Sequence, residues 1–141
     1  MINVTAIDHV VFRVKGIDRV AQFYIDVIGA RLEKRNDEIG LWQLRIGASL
    51  IDLVPVDGVL GAKGGRPPEA EGHNVDHVCL RVSPWNEDAI RAHLSSHGID
   101  NAEIVSRYGA EGDGPSIYLD DPEGNVIELK GPPWPPARDR A

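Results

Sequence analysis

The chain predicts an α+β fold of two tandem β-α-β-β-β modules, and three internal repeats carry that prediction. IDHVVFRV (residues 7–14) returns as VDHVCLRV (75–82), which places His9 and His77 68 positions apart. Two helix-ending glycines, Gly29 and Gly98, stand 69 apart. Leu50-Ile51-Asp52-Leu53 is answered by Val126-Ile127-Glu128-Leu129 at an offset of 76. A pattern written twice at a nearly constant offset is a supersecondary unit duplicated.

Residues 7–14 alternate. Asp8, Val10, Phe12 and Val14 point to one face, and Ile7, His9, Val11 and Arg13 to the other, so one face is apolar and the other carries His and Arg. Asp18 can cap a helix with apolar positions Val20, Phe23, Tyr24, Val27 and Ile28, spaced by three and four. Gly29 ends it in a left-handed conformation. Strands over 30–36, 40–46 and 49–54 complete the first module. In the second, Ser83-Pro84 starts a helix that packs through Ala89, Ile90 and Leu94 and ends at Gly98. Strands near 103–108, 115–119 and 125–130 follow. The offset grows by eight between the histidines and the last strands, a surplus expected in a loop over 109–115 (GAEGDGP).

The domain layout is thus one domain over 1–141: a module at 5–56, a linker at 57–74, a module at 75–130 and a tail at 131–141. The linker, rich in Gly and Pro, reads as flexible. Its GAKGG is no phosphate loop, lacking the GK[ST] ending and a following helix. The tail, GPPWPPARDRA, is expected to be extended or disordered.

Composition narrows the function. The 141 residues are 42% apolar, ordinary for a globular domain, and no run approaches the ~18 apolar residues of a membrane span. The start, MINVTAIDHVV, has neither the basic region nor the apolar run of a signal peptide. The one cysteine, Cys79, excludes an internal disulfide and fits a reducing cytoplasm. A net charge of −7 argues against nucleic acid. A small-molecule substrate is the expected partner.

Strand parity turns His9, Arg13, His77 and Arg81 toward the concave side of their sheets, with Asp52 and Glu128 from the last strands. Two imidazoles, two carboxylates and two guanidiniums are costly to desolvate unless paired or ligated. A divalent metal ion held by His9, His77 and Glu128 satisfies them together. Two His and one carboxylate with open positions is the facial arrangement used where substrate or oxygen must reach the metal. Blander readings stand beside it. A lone strand histidine is more often structural, though matched positions in a repeat weigh against that here. Arg13 and Arg81 either pair with carboxylates or bind an anion. His93 and His97, four apart on a helix, lack a third ligand and fit a solvated edge. Cys79 shares the parity of His77, with a buried inert thiol as its default.

These residues resemble the vicinal oxygen chelate superfamily, also called the glyoxalase/bleomycin resistance/dioxygenase superfamily. The resemblance covers about residues 5–130. It rests on IDHVVFRV, VAQFYIDVIGARL, VDHVCLRV and the ending SIYLDDPEGNVIEL, whose turn over 121–125 delivers Glu128. It implies two modules whose sheets close into a cupped, barrel-like mixed sheet around one metal (Zn, Ni, Mn, Co or Fe(II)). It also implies a homodimer in which His9 of one chain meets His77 and Glu128 of the other, although pairing within one chain also occurs in the family. His9, His77 and Glu128 match the common ligands. Asp52 matches a fourth ligand position where the family usually has Glu, and Arg13 a position that binds the glutathione portion in glyoxalase I. The resemblance implies a lyase or isomerase that stabilises an enediolate or oxyanion. Glu128 or Asp52 would move the proton, and Arg13 and Arg81 would hold a substrate carboxylate. The alternatives are an Fe(II) extradiol-type dioxygenase, a fosfomycin-type thiol transferase and a non-enzymatic antibiotic-binding protein.

Overall fold

The computed structural model describes residues 1–136. The chain divides into two compact units, residues 1–74 with the turn 121–124, and residues 75–120 with 125 onward. Each holds one four-stranded mixed sheet, and the element order is the duplicated β-α-β-β-β of the sequence.

The first unit contains β1 (His9–Val14), α1 (Ile17–Phe23) running into a π-turn (Tyr24–Ile28), β2 (Arg31–Asn36), β3 (Leu41–Ile46) and β4 (Ser49–Pro55). The sheet order is β1-β4-β3-β2, with β1 parallel to β4 and the remaining pairs antiparallel. Register places Phe12, Leu53 and Trp42 side by side, and next to them Val10, Ile51 and Leu44. All but Val10 of these are buried, together with Val14, Val20 and Tyr24. Each fully buried Phe, Leu or Ile contributes about 1.5–3 kcal/mol. The opposite face carries His9, Val11 and Arg13 with Asp52 and Gln43.

The start of α1 differs from expectation. Asp18 lies in its first turn and caps nothing with its side chain; the N-cap is Gly16. Glu123 takes the capping part. Its carboxylate accepts from the backbone N–H of Lys15 at 2.7 Å and of Gly16 at 2.6 Å. A carboxylate there also faces the positive end of the helix dipole. Gly29 ends the helical segment at φ 85°, as expected. The buried Tyr24 hydroxyl donates to Asp121 at 2.8 Å, so the turn is held at both Asp121 and Glu123.

The second unit contains β5 (Val78–Arg81), α2 (Glu87–Ser96), β6 (Val105–Gly109), β7 (Gly112–Asp120) and β8 (Val126–Lys130), in sheet order β5-β8-β7-β6. Ile117, Leu119, Ile127 and Leu129 fill its buried face, and Leu94 is the buried residue of α2. That helix starts later than Ser83-Pro84. Asn86 caps it, accepting from Ala89 N–H at 3.0 Å. The segment over 109–115 is no loop. Gly109 pairs with Gly112 in a tight hairpin, and β7 runs through Gly114 and Pro115. The surplus of the second module lies elsewhere. Residues 99–104 separate Gly98 from β6, whereas Ala30 alone separates Gly29 from β2, and the turn 121–125 replaces Gly47-Ala48.

Neither sheet closes into a barrel, contrary to the cupped barrel the resemblance implied. Each is open, with β1 and β2 as edges of one and β5 and β6 as edges of the other. Four strands leave two unpaired edges unless the ends meet. Beyond β8, Gly131 N–H donates to Pro115 O and Trp134 N–H to Asp113 O, so the tail is extended and tied to β7 through Trp134. Disorder over 137–141 lies outside the described residues. No described helix is long and apolar enough to cross a membrane.

Replacing Tyr24 by Phe keeps the ring and removes the buried bond to Asp121. Urea denaturation should show a loss of about 1–2 kcal/mol; no change in the midpoint would mean the bond adds nothing to folding.

Candidate metal centre

Each unit presents one imidazole already turned by a carboxylate. His9 Nδ1 lies 2.7 Å from Asp8 Oδ1, and His77 Nδ1 lies 2.6 Å from Asp76 Oδ2. A carboxylate only accepts, so both contacts place a proton on Nδ1, and in the neutral form of each ring Nε2 carries the lone pair. The same orientation by an outer carboxylate is general among metal-binding histidines.

In the second unit the ligand candidates converge. His77 Nε2 stands 3.3 Å from Glu128 Oε1. Glu128 is 5% exposed. Its neighbours follow from register: Cys79 is its partner on β5 and Tyr118 its partner on β7. Ser116 lies two residues before Tyr118 on the same face. Ser116 Oγ donates to Glu128 Oε2 at 2.8 Å and Cys79 Sγ to the same oxygen at 3.2 Å. Tyr118 adds a hydrogen bond to Glu128 and sets its ring edge against His77, centroids 5.6 Å apart. Burial alone would raise the carboxyl's pKa; the bonds from Tyr118, Ser116 and Cys79, with the charge of His77, outweigh it and leave it below the usual range. Cys79 answers in the other direction. Its residue surface is exposed, but its sulfur is desolvated against Glu128. Burial first, then the bond to Glu128, pushes the thiol up to about 12. His77, Arg81 and Glu128 line one cavity of about 280 Å³, with Cys79, Glu111 and Lys130. Arg81 Nε donates to Glu111 at 2.7 Å, and Lys130 Nζ to the carbonyls of Arg107 at 2.5 Å and Gly114 at 3.4 Å.

In the first unit, Asp52 is 3% exposed. Gln43, its partner across the β3–β4 hairpin, offers its amide at 3.3 and 3.4 Å. Burial is the larger influence and raises the Asp52 pKa, against the Gln43 bond and the charge of His9. The His9 pKa is raised, first by its bond to Asp8 and then by the charge of Asp52. Arg13 is engaged with backbone. Its guanidinium donates to the carbonyls of Gly61 at 2.9 Å, Gly65 at 2.6 Å and Arg66 at 3.0 Å. Asn74 bonds the Arg13 backbone at both its N–H and its carbonyl. The expected flexible linker therefore contains a 3₁₀ turn at Gly61–Gly64 and is tied at several points. A Cβ on Gly64 would run into the Arg13 guanidinium and one on Gly61 into the Pro55 carbonyl, so glycine here serves close approach.

Among the described residues, no group of three or more His, Cys, Asp or Glu side chains stands close enough to hold a metal ion. The sequence reading brought out His77, Arg81 and Glu128, which share a cavity, and His9 with Asp52, whose charges interact. It missed Ser116, Tyr118, Gln43 and Lys130. Hairpin register was the available signal. A hairpin closed at Ile46 and Ser49 puts Gln43 opposite Asp52, and one that pairs Asp120 with Val126 puts Tyr118 opposite Glu128.

The model of the Glyoxalase/Bleomycin resistance protein/Dioxygenase superfamily matches residues 6–129. The virulence protein STM3117 of Salmonella typhimurium is 32% identical over 126 residues, covering 87% of this chain and 81% of that protein. Its crystal structure matches with a TM-score of 0.71 at 28% identity, over 93% of this chain and 99% of that one. Lactoylglutathione lyase from Agrobacterium tumefaciens shares the fold at a TM-score of 0.62 and 18% identity, over 90% and 93% of the two chains. The fosfomycin resistance protein FosX from Listeria monocytogenes shares it at 0.59 and 16%, over 92% of each.

Arg13→Ala removes three donors from the segment after β4. Trypsin should then cut after Lys63 several-fold faster under native conditions; an unchanged digestion pattern would show that the guanidinium does not hold this segment.

Proposed function

The chain belongs to the Glyoxalase/Bleomycin resistance protein/Dioxygenase superfamily, and from that premise we propose that it is a metal-dependent lyase or isomerase acting on a small, oxygen-chelating, anionic substrate. The observation that carries the reading is the approach of His77 Nε2 to Glu128 Oε1 at 3.3 Å, with the remaining polar atoms of both side chains already engaged. The donor chemistry fits a divalent ion: imidazoles held through Nδ1, whose neutral form offers Nε2 as a ligand, and a buried carboxylate kept ionised. His9, His77 and Glu128 would hold the ion, whose charge, when bound, would stabilise an enediolate or oxyanion.

The chain's own groups divide the remaining work. Asp52 is desolvated and bonded to one amide, which suits a carboxylate that takes and returns a proton. Glu128 is the better ligand, being held ionised by several donors. Arg81 lines the cavity beside His77 and would orient a substrate carboxylate, exchanging its partner Glu111 for it. Arg13, whose guanidinium is bonded to the carbonyls of Gly61, Gly65 and Arg66, would have to exchange those partners to hold a substrate carboxylate.

The working form in this reading is a pair of copies, each ion taking His9 from one and His77 with Glu128 from the other. The edge strands β1 and β5, each paired on one side only, support it, as do the exposed Ile7 and Val11. A second reading, an Fe(II) dioxygenase, is favoured by the two-nitrogen, one-oxygen donor set.

His77→Ala and Glu128→Ala should each lower bound metal by at least tenfold and abolish turnover of 2-oxoaldehyde thiol adducts. Full turnover without metal would overturn the metal reading, and iron-dependent oxygen uptake with catechols would replace the lyase with the dioxygenase. Copies carrying His9→Ala mixed with copies carrying Glu128→Ala should regain about a quarter of the wild-type metal content, because one site of each mixed two-fold pair is intact. No recovery would place all three ligands within one chain.

A further inference from the structure

Resting on the metal reading above, we infer that Ser116 and Cys79 are positioning residues for Glu128. Together they tie down Oε2, so that the carboxylate presents a metal ion with the single oxygen Oε1.

The two donors converge on one atom. Ser116, fully buried on β7, reaches Oε2 at 2.8 Å, and Cys79 on β5 reaches it at 3.2 Å from the other side. Oε1 is the oxygen that faces His77 Nε2. Tyr118 stands opposite Glu128 on β7 and favours its ionised form. A carboxylate bonded from both neighbouring strands cannot swing without breaking a buried hydrogen bond, at a cost comparable to an unsatisfied polar group.

The duplication supplies an internal control. Asp52 occupies the matching place on β4, but its parallel neighbour is Val11, where Glu128 has Cys79. Two residues before Gln43 stands Leu41, where Ser116 stands two before Tyr118. Neither Val11 nor Leu41 has a side-chain donor, and Asp52 is left with the Gln43 amide shared between both oxygens. The thiol and the hydroxyl thus accompany the residue read as a ligand and are missing beside the one read as a proton carrier.

The arrangement bears on the substrate. Two imidazole nitrogens and one carboxylate oxygen would leave positions on a divalent ion open to a substrate's oxygens. A Glu128 free to bind through both oxygens would leave fewer of them.

The test is cobalt(II) titration of the full chain, stripped of metal by chelation, followed by the visible spectrum and the affinity. Ser116→Ala combined with Cys79→Ala should weaken binding by about tenfold to a hundredfold, the usual effect of removing an outer partner of a ligand. It should also shift the visible bands. Cys79→Ser, which keeps a donor, should restore most of the affinity when Ser116 is intact. In the metal-free protein, the side-chain carboxyl ¹³C resonance of Glu128 should move in the double variant and not in Cys79→Ser. Should the buried Ser116→Ala change prevent folding, Cys79→Ala at its exposed strand position carries the same test. Cobalt binding with unchanged affinity and spectrum in the folded variants would overturn the positioning roles alone. Failure of the unsubstituted protein to take up cobalt would overturn the metal reading, and these roles with it.

Discussion

A carboxylate kept ionised inside a sheet is the constraint on which the second unit depends. Burying Glu128 without partners would cost several kcal/mol or force it to take up a proton. The sheet meets that cost through register. Parallel pairing puts Cys79 beside it, antiparallel pairing puts Tyr118 on its other side, and the period of two puts Ser116 on the same face. The same parity sends Ile127 and Leu129 to the opposite, buried face. A one-residue slip of β8 would bury the charge among aliphatic side chains and expose the core, so the acid and the core enforce one register together.

The first unit uses the same frame with different contents. Asp52 sits where Glu128 sits, one methylene shorter, between Val11 and Gln43. One neighbour is apolar and the other gives a long bond, so burial dominates and the carboxyl titrates higher. Duplication made two similar sheets; substitution of a few inward residues gave their acids opposite electrostatics. That contrast, more than the matched histidines, is what supports giving the two acids different roles in the proposed reading.

Period-two alternation and matched offsets made the element order and the apolar faces legible, because both are properties of the chain alone. His9, Phe12, His77 and Glu128 were placed on the correct faces by counting. What failed depended on pairing or on distant partners. Glu123 took the place of Asp18 at the start of α1 because a residue more than a hundred positions away supplied a better-placed acceptor. GAKGG looked flexible because glycine marks both freedom and close approach, and only the folded contacts with the Pro55 carbonyl and the Arg13 guanidinium distinguish the two. The GAEGDGP segment looked like a loop because Gly and Pro disfavour strands. Gly114 nonetheless lies in β7, where a side chain would collide with the Pro132 carbonyl, so its bareness is what lets the tail run alongside.

Preorganisation connects these features to function. A ligand set that must be assembled when the ion arrives loses side-chain entropy at that moment, and affinity falls accordingly. In this chain Asp8 and Asp76 fix the two rings, and three donors fix the Glu128 carboxylate, all from within the unit that carries the ligand. In the proposed metal reading, each unit would thus bring its ligands already oriented by ordinary folding contacts, with little side-chain order left to impose when an ion binds. Asp52, held by the Gln43 amide alone, has fewer partners than Glu128, which in the proposed reading suits the acid that would pass a proton.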